Sequence, residues 1–187
     1  MAKSTKKSKK TWIRIVAPKE FNSIELGESY VYSPEDLIGK NLKANLSTLL
    51  RDIRRQNANL SFKVHEVSGN HVITKIISFE ILPAHVKRMV RTMKDRLDDS
   101  FIVPSKDKLK IRIKPIILTR SKTSNSVLTL IRKATREKLG KFASEHSFSE
   151  IINIVITGQL QKQIKSELKK IHPLSIFEIR KVELANR

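Results

Sequence analysis

The sequence predicts one α+β domain, an antiparallel-rich sheet flanked by amphipathic helices, behind a basic N-terminal tail. Three observations carry the prediction. Two segments read as β-hairpins, LSFKVHEV-SGN-HVITKIISFEIL and SFIV-PSKD-KLKIRIKPIIL. Three later segments place apolar residues at helical spacing. The last segment, SIFEIRKVEL, alternates again and reads as a closing strand. A chain of 187 residues fits one domain plus a tail, and at this size a fold buries roughly 70% of its unfolded surface.

Residues 1–10, MAKSTKKSKK, hold five lysines and no acid. They offer nothing to bury and predict a flexible basic tail. Residues 11–187 then form the single predicted domain. WIRIVA at 12–17 reads as a short strand ended by Pro18, and 23–32 as a second, with Gly27 permitting a bend. A third short strand runs from Asn41 to Leu46, followed by a short helix over Thr48 to Ile53. In the first hairpin, Ser68, Gly69 and Asn70 supply the turn chemistry. Phe62 and Val64 share one face of its first arm. Ile73, Ile77, Phe79 and Ile81 share a face of the second, and Pro83 stops the ladder. Residues 84–97 carry a stripe of Val86, Met89, Val90, Met93 and Leu97 opposite Lys87, Arg88, Arg91 and Lys94. That pattern predicts an amphipathic helix with a basic back. The second hairpin turns at Pro104 to Asp107. A helix over Ser126 to Phe142 follows, striped by Leu128, Ile131, Leu139 and Phe142. Ser147 and Glu150 have capping-box spacing, which starts a helix near Phe148, and Gly158 ends it. Leu160, Ile164, Leu168 and Ile171 stripe a last helix that Pro173 terminates. In the closing strand Ile176, Glu178 and Arg180 face away from Phe177, Ile179 and Lys181.

Charge is the strongest functional signal. Lys and Arg total 38 against 18 Asp and Glu, a net charge of +20. Self-repulsion on that scale is unfavourable for a free compact protein, and a polyanion relieves it. The excess is concentrated. From Lys108 to Arg136 there are nine Lys or Arg and no acid. Residues 108–114 alternate base and apolar residue: Lys108, Leu109, Lys110, Ile111, Arg112, Ile113, Lys114. The apolar residues belong to a sheet, and the bases face a partner. The expected phosphate contacts are the tail lysines Lys3, Lys6, Lys7, Lys9 and Lys10; the strand and loop bases Lys110, Arg112, Lys114, Arg120 and Lys122; and the helix-back bases Arg132, Lys133, Arg136 and Lys141. Strand and helix bases are expected to form one continuous acid-free surface. Phosphate neutralisation releases counterions, so such binding weakens steeply with salt. The hydroxyls of TRSKTSNS add donors suited to phosphate and ribose oxygens.

Other chemistry finds little support. The absence of cysteine excludes disulfides, thiolate zinc sites and cysteine nucleophiles, and suits a reducing cytoplasm. The five histidines show no metal-ligand spacing, and His65 and His71 merely flank a hairpin turn. Asp98-Asp99 reads as a helix end or turn, because neighbouring side chains diverge. No phosphate-binding glycine loop or nucleophile elbow occurs. No cofactor or metal is implied. There is no secretory signal and no apolar run of membrane-spanning length; nucleic acid is the expected polyanion, with an anionic membrane surface as the second candidate, and no membrane partner is expected. Aromatics make up 5% of the chain and no aromatic RNA-recognition strand motif appears, so recognition of backbone and shape is expected over reading of bases.

Several motifs also carry a resemblance. KKTWIRIVAPKEF, with Trp12, Ala17, Pro18 and Phe21, resembles the opening of the archaeal and eukaryotic small-subunit ribosomal proteins called the S-three-A-e family. The end is more specific: a helix, then Ile171, Pro173 and Leu174, then a strand ending in Ile179, Arg180, Lys181 and Val182. Leu46 to Leu49, KTS at Lys122 to Ser124 and IRK at Ile131 to Lys133 agree in order. The resemblance implies a barrel-like sheet with flanking helices and no enzymatic activity. It also implies a cytoplasmic, ribosome-bound protein on the small-subunit platform near the mRNA exit. Small-subunit rRNA and neighbouring platform proteins would be its partners, with mRNA near the exit as a further one. Two departures stand out: the segment between KTS and IRK is shorter than is usual in the family, and the eukaryotic C-terminal extension is lacking. The missing extension points to an archaeal-type member. A non-ribosomal RNA chaperone or chromatin-type nucleic-acid-binding protein is the rival reading.

Overall fold

The structure, a computed structural model, describes residues 9–69, 71–90 and 92–185. The chain forms two compact units, Met1–Ile77 and Ser78–Arg187. The architecture is mixed α and β, with strands that pair mostly antiparallel.

In the first unit, β1 (Thr11–Val16) buries Ile13 and Ile15 and exposes the residues between them. Pro18 ends it, and a short 3₁₀ turn over Lys19–Phe21 reverses the chain. β2 (Glu25–Val31) returns antiparallel to β1. Its register slips by one residue: Ile15 pairs with Gly27 and Val16 with Glu25. Gly27 sits at φ +151 beside this bulge, a conformation that a side chain would strain. The bend expected at Gly27 is therefore a bulge.

Ser33 then caps a 3₁₀ turn over Pro34–Leu37 through a complete capping box and plants Leu37 in the core. β3 (Asn41–Asn45) leads into α1 (Leu46–Leu50), whose N-terminus is closed by the Asn45 side chain accepting from Ser47 N at 2.9 Å. The helix expected over Thr48 to Ile53 is broken. Arg51 adopts φ +52, and Asp52 caps a separate 3₁₀ turn, Ile53–Arg55, through Arg54 N. A left-handed residue stops a helix wherever it falls, and the following Asp offers the backbone a competing acceptor.

β4 (Ala58–Ser68) pairs antiparallel with β3, and β5 (His71–Ile81) follows it across a turn in which Gly69 takes φ +59. Asn70, the third residue expected in that turn, lies outside the described residues. β5 also runs parallel to β1, from Arg14↔His71 to Val16↔Ile73. The strand order in this unit is thus β2-β1-β5-β4-β3. Among the described residues the outer strands β2 and β3 each pair on one side only, so the pairings do not show the barrel-like closure. Ile13, Ile15, Leu37, Val64 and Val72 form a core cluster, with Leu26, Val31, Leu42 and Val67 packed around it.

The face expected for β5 changes along the strand. Val72, Thr74 and Ile76 are the buried residues of its first half, while Ile73 and Ile77 are half-buried; Phe79 and Ile81 are buried in its second half. The switch falls where the strand leaves the first unit for the second, so one alternating pattern cannot describe it.

In the second unit, Pro83 opens α2 (Pro83–Met89) at its first turn, where a missing N–H costs nothing. The helix expected to continue to Leu97 ends at Met89. Val90 is extended, Met93 takes φ +67 and is 76% exposed, and Arg91 lies outside the described residues. Arg96–Asp98 forms strand β6 instead, and Leu97 is buried opposite Ile117. Strand pairing overrides the local helical stripe. Thr119 and Thr123 fix the lead-in: Asp95 N donates to Thr119 Oγ1 at 2.9 Å, and Thr123 N donates to the Asp95 carboxylate at 2.7 Å.

β7 (Phe101–Pro104) and β8 (Lys110–Thr119) form the second hairpin. α3 (Asn125–Glu145) is longer than the expected 126–142 and buries Ile131, Thr135, Leu139 and Ala143. α4 (Phe148–Thr157) begins at the expected capping box and ends at Gly158, which takes φ +76. α5 (Gln159–Leu168) buries Leu160, Ile164 and Leu168, while Ile171 lies past its end and is 41% exposed. β9 (Leu174–Leu184) then pairs along the whole of β8. β8 takes β9 on one side, and β7 and β6 in succession on the other. The end of β5, Ser78–Glu80, lies antiparallel on the far side of β9. A register shift sets Lys114 opposite Lys181 but Pro115 opposite Ile179. Arg180 is the extra residue, and past it Val182, not Lys181, joins Phe177 and Ile179 in the core.

Candidate nucleic-acid interface

The acid-free segment folds into a strand, a loop and a helix, and the hairpin register decides which way each base points. Arg112 pairs with Ile102, while Ile113 pairs with Phe101 and Ile111 with Val103. Directly paired residues share a face. α3 lies on the Phe101–Val103 face: a Cβ on Gly140 would sit 4.0 Å from Val103 Cγ1, and the Arg136 guanidinium lies 5.9 Å from the Phe101 ring. Lys110, Arg112 and Lys114 are therefore on the opposite face of the sheet, beside exposed Ile102. The single continuous surface expected from the sequence is two surfaces. Alternation along β8 puts its bases on the sheet face away from α3.

The strand surface is not free of acid either. Glu183 stands opposite Arg112 on β9. Its carboxylate lies 3.6 Å from Arg112, 3.3 Å from Lys114 and 2.7 Å from Lys181. Desolvation raises its pKa, but hydrogen bonds and charge from Lys181 and Lys114 outweigh that and hold it below the usual glutamate value. Lys110 is exposed at the strand's start with no ion pair among the described residues.

On the helix surface the bases divide again. Arg136 grips Asp99 with two hydrogen bonds of 2.6 Å. The Arg136 hydrogen bond is the main reason the Asp99 pKa is lowered, with Arg132 adding a weaker attraction. Asp98 instead pairs with Arg96 at 2.5 Å, so the two neighbouring acids diverge to separate structural partners. Lys141 binds Glu137 one turn away, and Lys138 pairs with Glu167 of α5. Lys138 and Lys141 line a cleft between α3 and α5 together with Glu137, Glu145 and Glu167, where the charge is mixed. Arg120 and Lys122 in the β8–α3 loop, and Arg132 and Lys133 on α3, are exposed and in no ion pair among the described residues. Of the bases expected on the strand, loop and helix, these four and Lys110 are the ones in no ion pair among the described residues.

Of the tail lysines, Lys9 and Lys10 are exposed, and Lys3, Lys6 and Lys7 lie outside the described residues. Among the described residues no group of three His, Asp or Glu is placed to hold a metal, and no helix is long and apolar enough to cross a membrane. The sequence reading missed one feature. The chain's one Trp and two Tyr are all exposed: Trp12 on β1, Tyr30 on β2 and Tyr32 just past the end of β2. The signal was present in the alternation: Trp12 precedes buried Ile13, and Tyr30 and Tyr32 flank Val31.

The sequence profile described as the Ribosomal S3Ae family matches residues 2–187. The chain is similar to the small ribosomal subunit protein eS1 of Nanoarchaeum equitans, 29% identical over 179 residues that cover 96% of this chain and 90% of the relative. It is similar to the protein of that name from Methanothermobacter thermautotrophicus, 31% identical over 91% of this chain and 87% of the relative. A third, from Saccharolobus islandicus, is 31% identical over 94% of this chain and 84% of the relative. The chain belongs to the Ribosomal S3Ae family, whose members are structural proteins of the ribosome and not enzymes.

Proposed function

We propose that this protein is a structural constituent of the small ribosomal subunit that binds small-subunit rRNA, with residues 11–187 acting as one RNA-binding domain. It sits on the platform near the mRNA exit, beside neighbouring small-subunit proteins, and supports assembly and translation. The platform seat follows from the family resemblance. The observation that carries RNA binding is the set of exposed bases Arg120, Lys122, Arg132 and Lys133, in no ion pair among the described residues, in a stretch without acid. A protein carrying +20 with such a set gains affinity for phosphate from counterion release. Sedimentation of a cell extract through sucrose at moderate salt tests the reading. The protein should travel with small subunits, and recovery only in the light fractions would overturn it.

A further inference from the structure

We propose that Trp12, Tyr30 and Tyr32 form a stacking platform for unpaired bases of a single-stranded RNA segment, with Lys10 and Lys9 holding its phosphates. The proposal rests on the RNA-binding reading above but uses a different surface, in the first unit. Trp12 and Tyr30 are direct register partners across β1 and β2. Their rings lie 5.1 Å apart at an interplanar angle of 37°. Tyr32 follows the end of β2, and its ring lies near that of Tyr30, since the Lys10 ammonium approaches both. The three side chains are 62%, 52% and 57% exposed.

Among the described residues, core packing does not account for these aromatics. Ile13 and Ile15 on the other face of β1 fill the core. Large aromatics dominate cores when they are buried, and every Phe the structure buries is used that way: Phe21, Phe62, Phe79, Phe148 and Phe177. The outward set is the complete complement of Trp and Tyr. Clustered exposed aromatics mark an interaction surface.

The charge around the platform selects the partner. The Lys10 ammonium lies 4.9 Å from the centre of the Tyr32 ring and 5.8 Å from that of Tyr30. Lys9 adjoins it in sequence. The acids Glu25 and Glu28 lie further along the strands, 3.9 and 3.6 Å from Arg14. Flat rings beside lysines match a nucleic-acid strand, in which each base offers a π-face and each phosphate a charge. Interface cores between proteins are depleted in lysine. Duplex RNA keeps its bases stacked on one another and offers this platform nothing to stack on.

Trp12 is the only tryptophan, so its fluorescence reports this site alone. The full-length protein should be titrated with a single-stranded oligouridylate or oligoadenylate, a duplex RNA of equal length, and base-free polyphosphate. Single strands should quench the emission; duplex and polyphosphate should bind without quenching. The Tyr30→Ala/Tyr32→Ala variant should bind the labelled single strand about 10–100-fold more weakly, with an unchanged salt slope and unchanged duplex affinity. Trp12→Phe should retain binding. Equal quenching by polyphosphate, or no quenching by single strands while duplex still binds, overturns the platform and leaves the RNA-binding reading standing. Failure to bind any RNA overturns both. Quenching by RNA-free small-subunit proteins and not by oligonucleotides overturns the proposal in favour of a protein partner. If the Tyr variant fails to fold, the wild-type titration decides alone.

Discussion

Glu183 receives three cations, Arg112, Lys114 and Lys181, and its charge tempers the strand face. Its pKa is depressed in the fold. The stabilisation it brings is therefore present above the unfolded glutamate value, about 4.3, and is lost as pH falls through the folded value. Glu178 behaves oppositely. Burial raises its pKa above the ordinary value, against the hydrogen bond from Gln161 and the charge of Lys165. Its contribution is fully present below the unfolded value and lost as pH rises through the folded one. Urea unfolding at about pH 7 and about pH 4 should therefore separate two variants. Glu183→Gln should be less stable than wild type at the higher pH and closer to it at the lower. Glu178→Gln should gain on wild type as the pH rises. The same slope for both variants would refute these environments. Glu183 was out of reach of the sequence reading because two of its partners are on another strand, brought opposite only by the β8–β9 register.

At the scale of elements, local chemistry was readable and non-local pairing was not. The capping box of α4 depends on four successive residues, and both its bonds form: Glu150 N donates to Ser147 Oγ and Ser147 N donates to the Glu150 carboxylate. Ser147→Ala should cost about 1 kcal/mol, and Gly158→Ala about 1–2 kcal/mol through its left-handed φ. Urea midpoints check both, and neither variant should change RNA affinity. The 84–97 stripe misled for the complementary reason. Its spacing is helical, but β8 offered Leu97 a buried place opposite Ile117, and the last residues followed the sheet. The β9 bulge at Arg180 likewise moved Lys181 out of the core face, which no alternation count anticipates. The bases of β8 and α3 sit where the alternation and the stripe put them, away from the buried residues of each element. That they lie on opposite sheet faces follows only from the pairing of Phe101 and Val103 with Ile113 and Ile111.

At the scale of the whole molecule, the proposed polyanion partner would meet first the bases that are in no internal ion pair. Bases already held by Glu183, Asp99, Glu137 or Glu167 give up part of their gain on binding phosphate, because an internal partner must be released or shared. Bases without one have no such cost. On the RNA-binding reading proposed above, the loop and the back of α3 are therefore expected to be the principal phosphate surface and the β8 face the secondary one. The most direct test is the salt dependence of binding to small-subunit rRNA for two triple variants. Arg120→Gln/Lys122→Gln/Lys133→Gln should flatten the slope of log K against log salt by about two to three, at about 0.7–0.9 for each phosphate no longer neutralised. Lys110→Gln/Arg112→Gln/Lys114→Gln should flatten it by about one or less. An unchanged slope in the first variant, or a greater flattening in the second than in the first, would contradict the account.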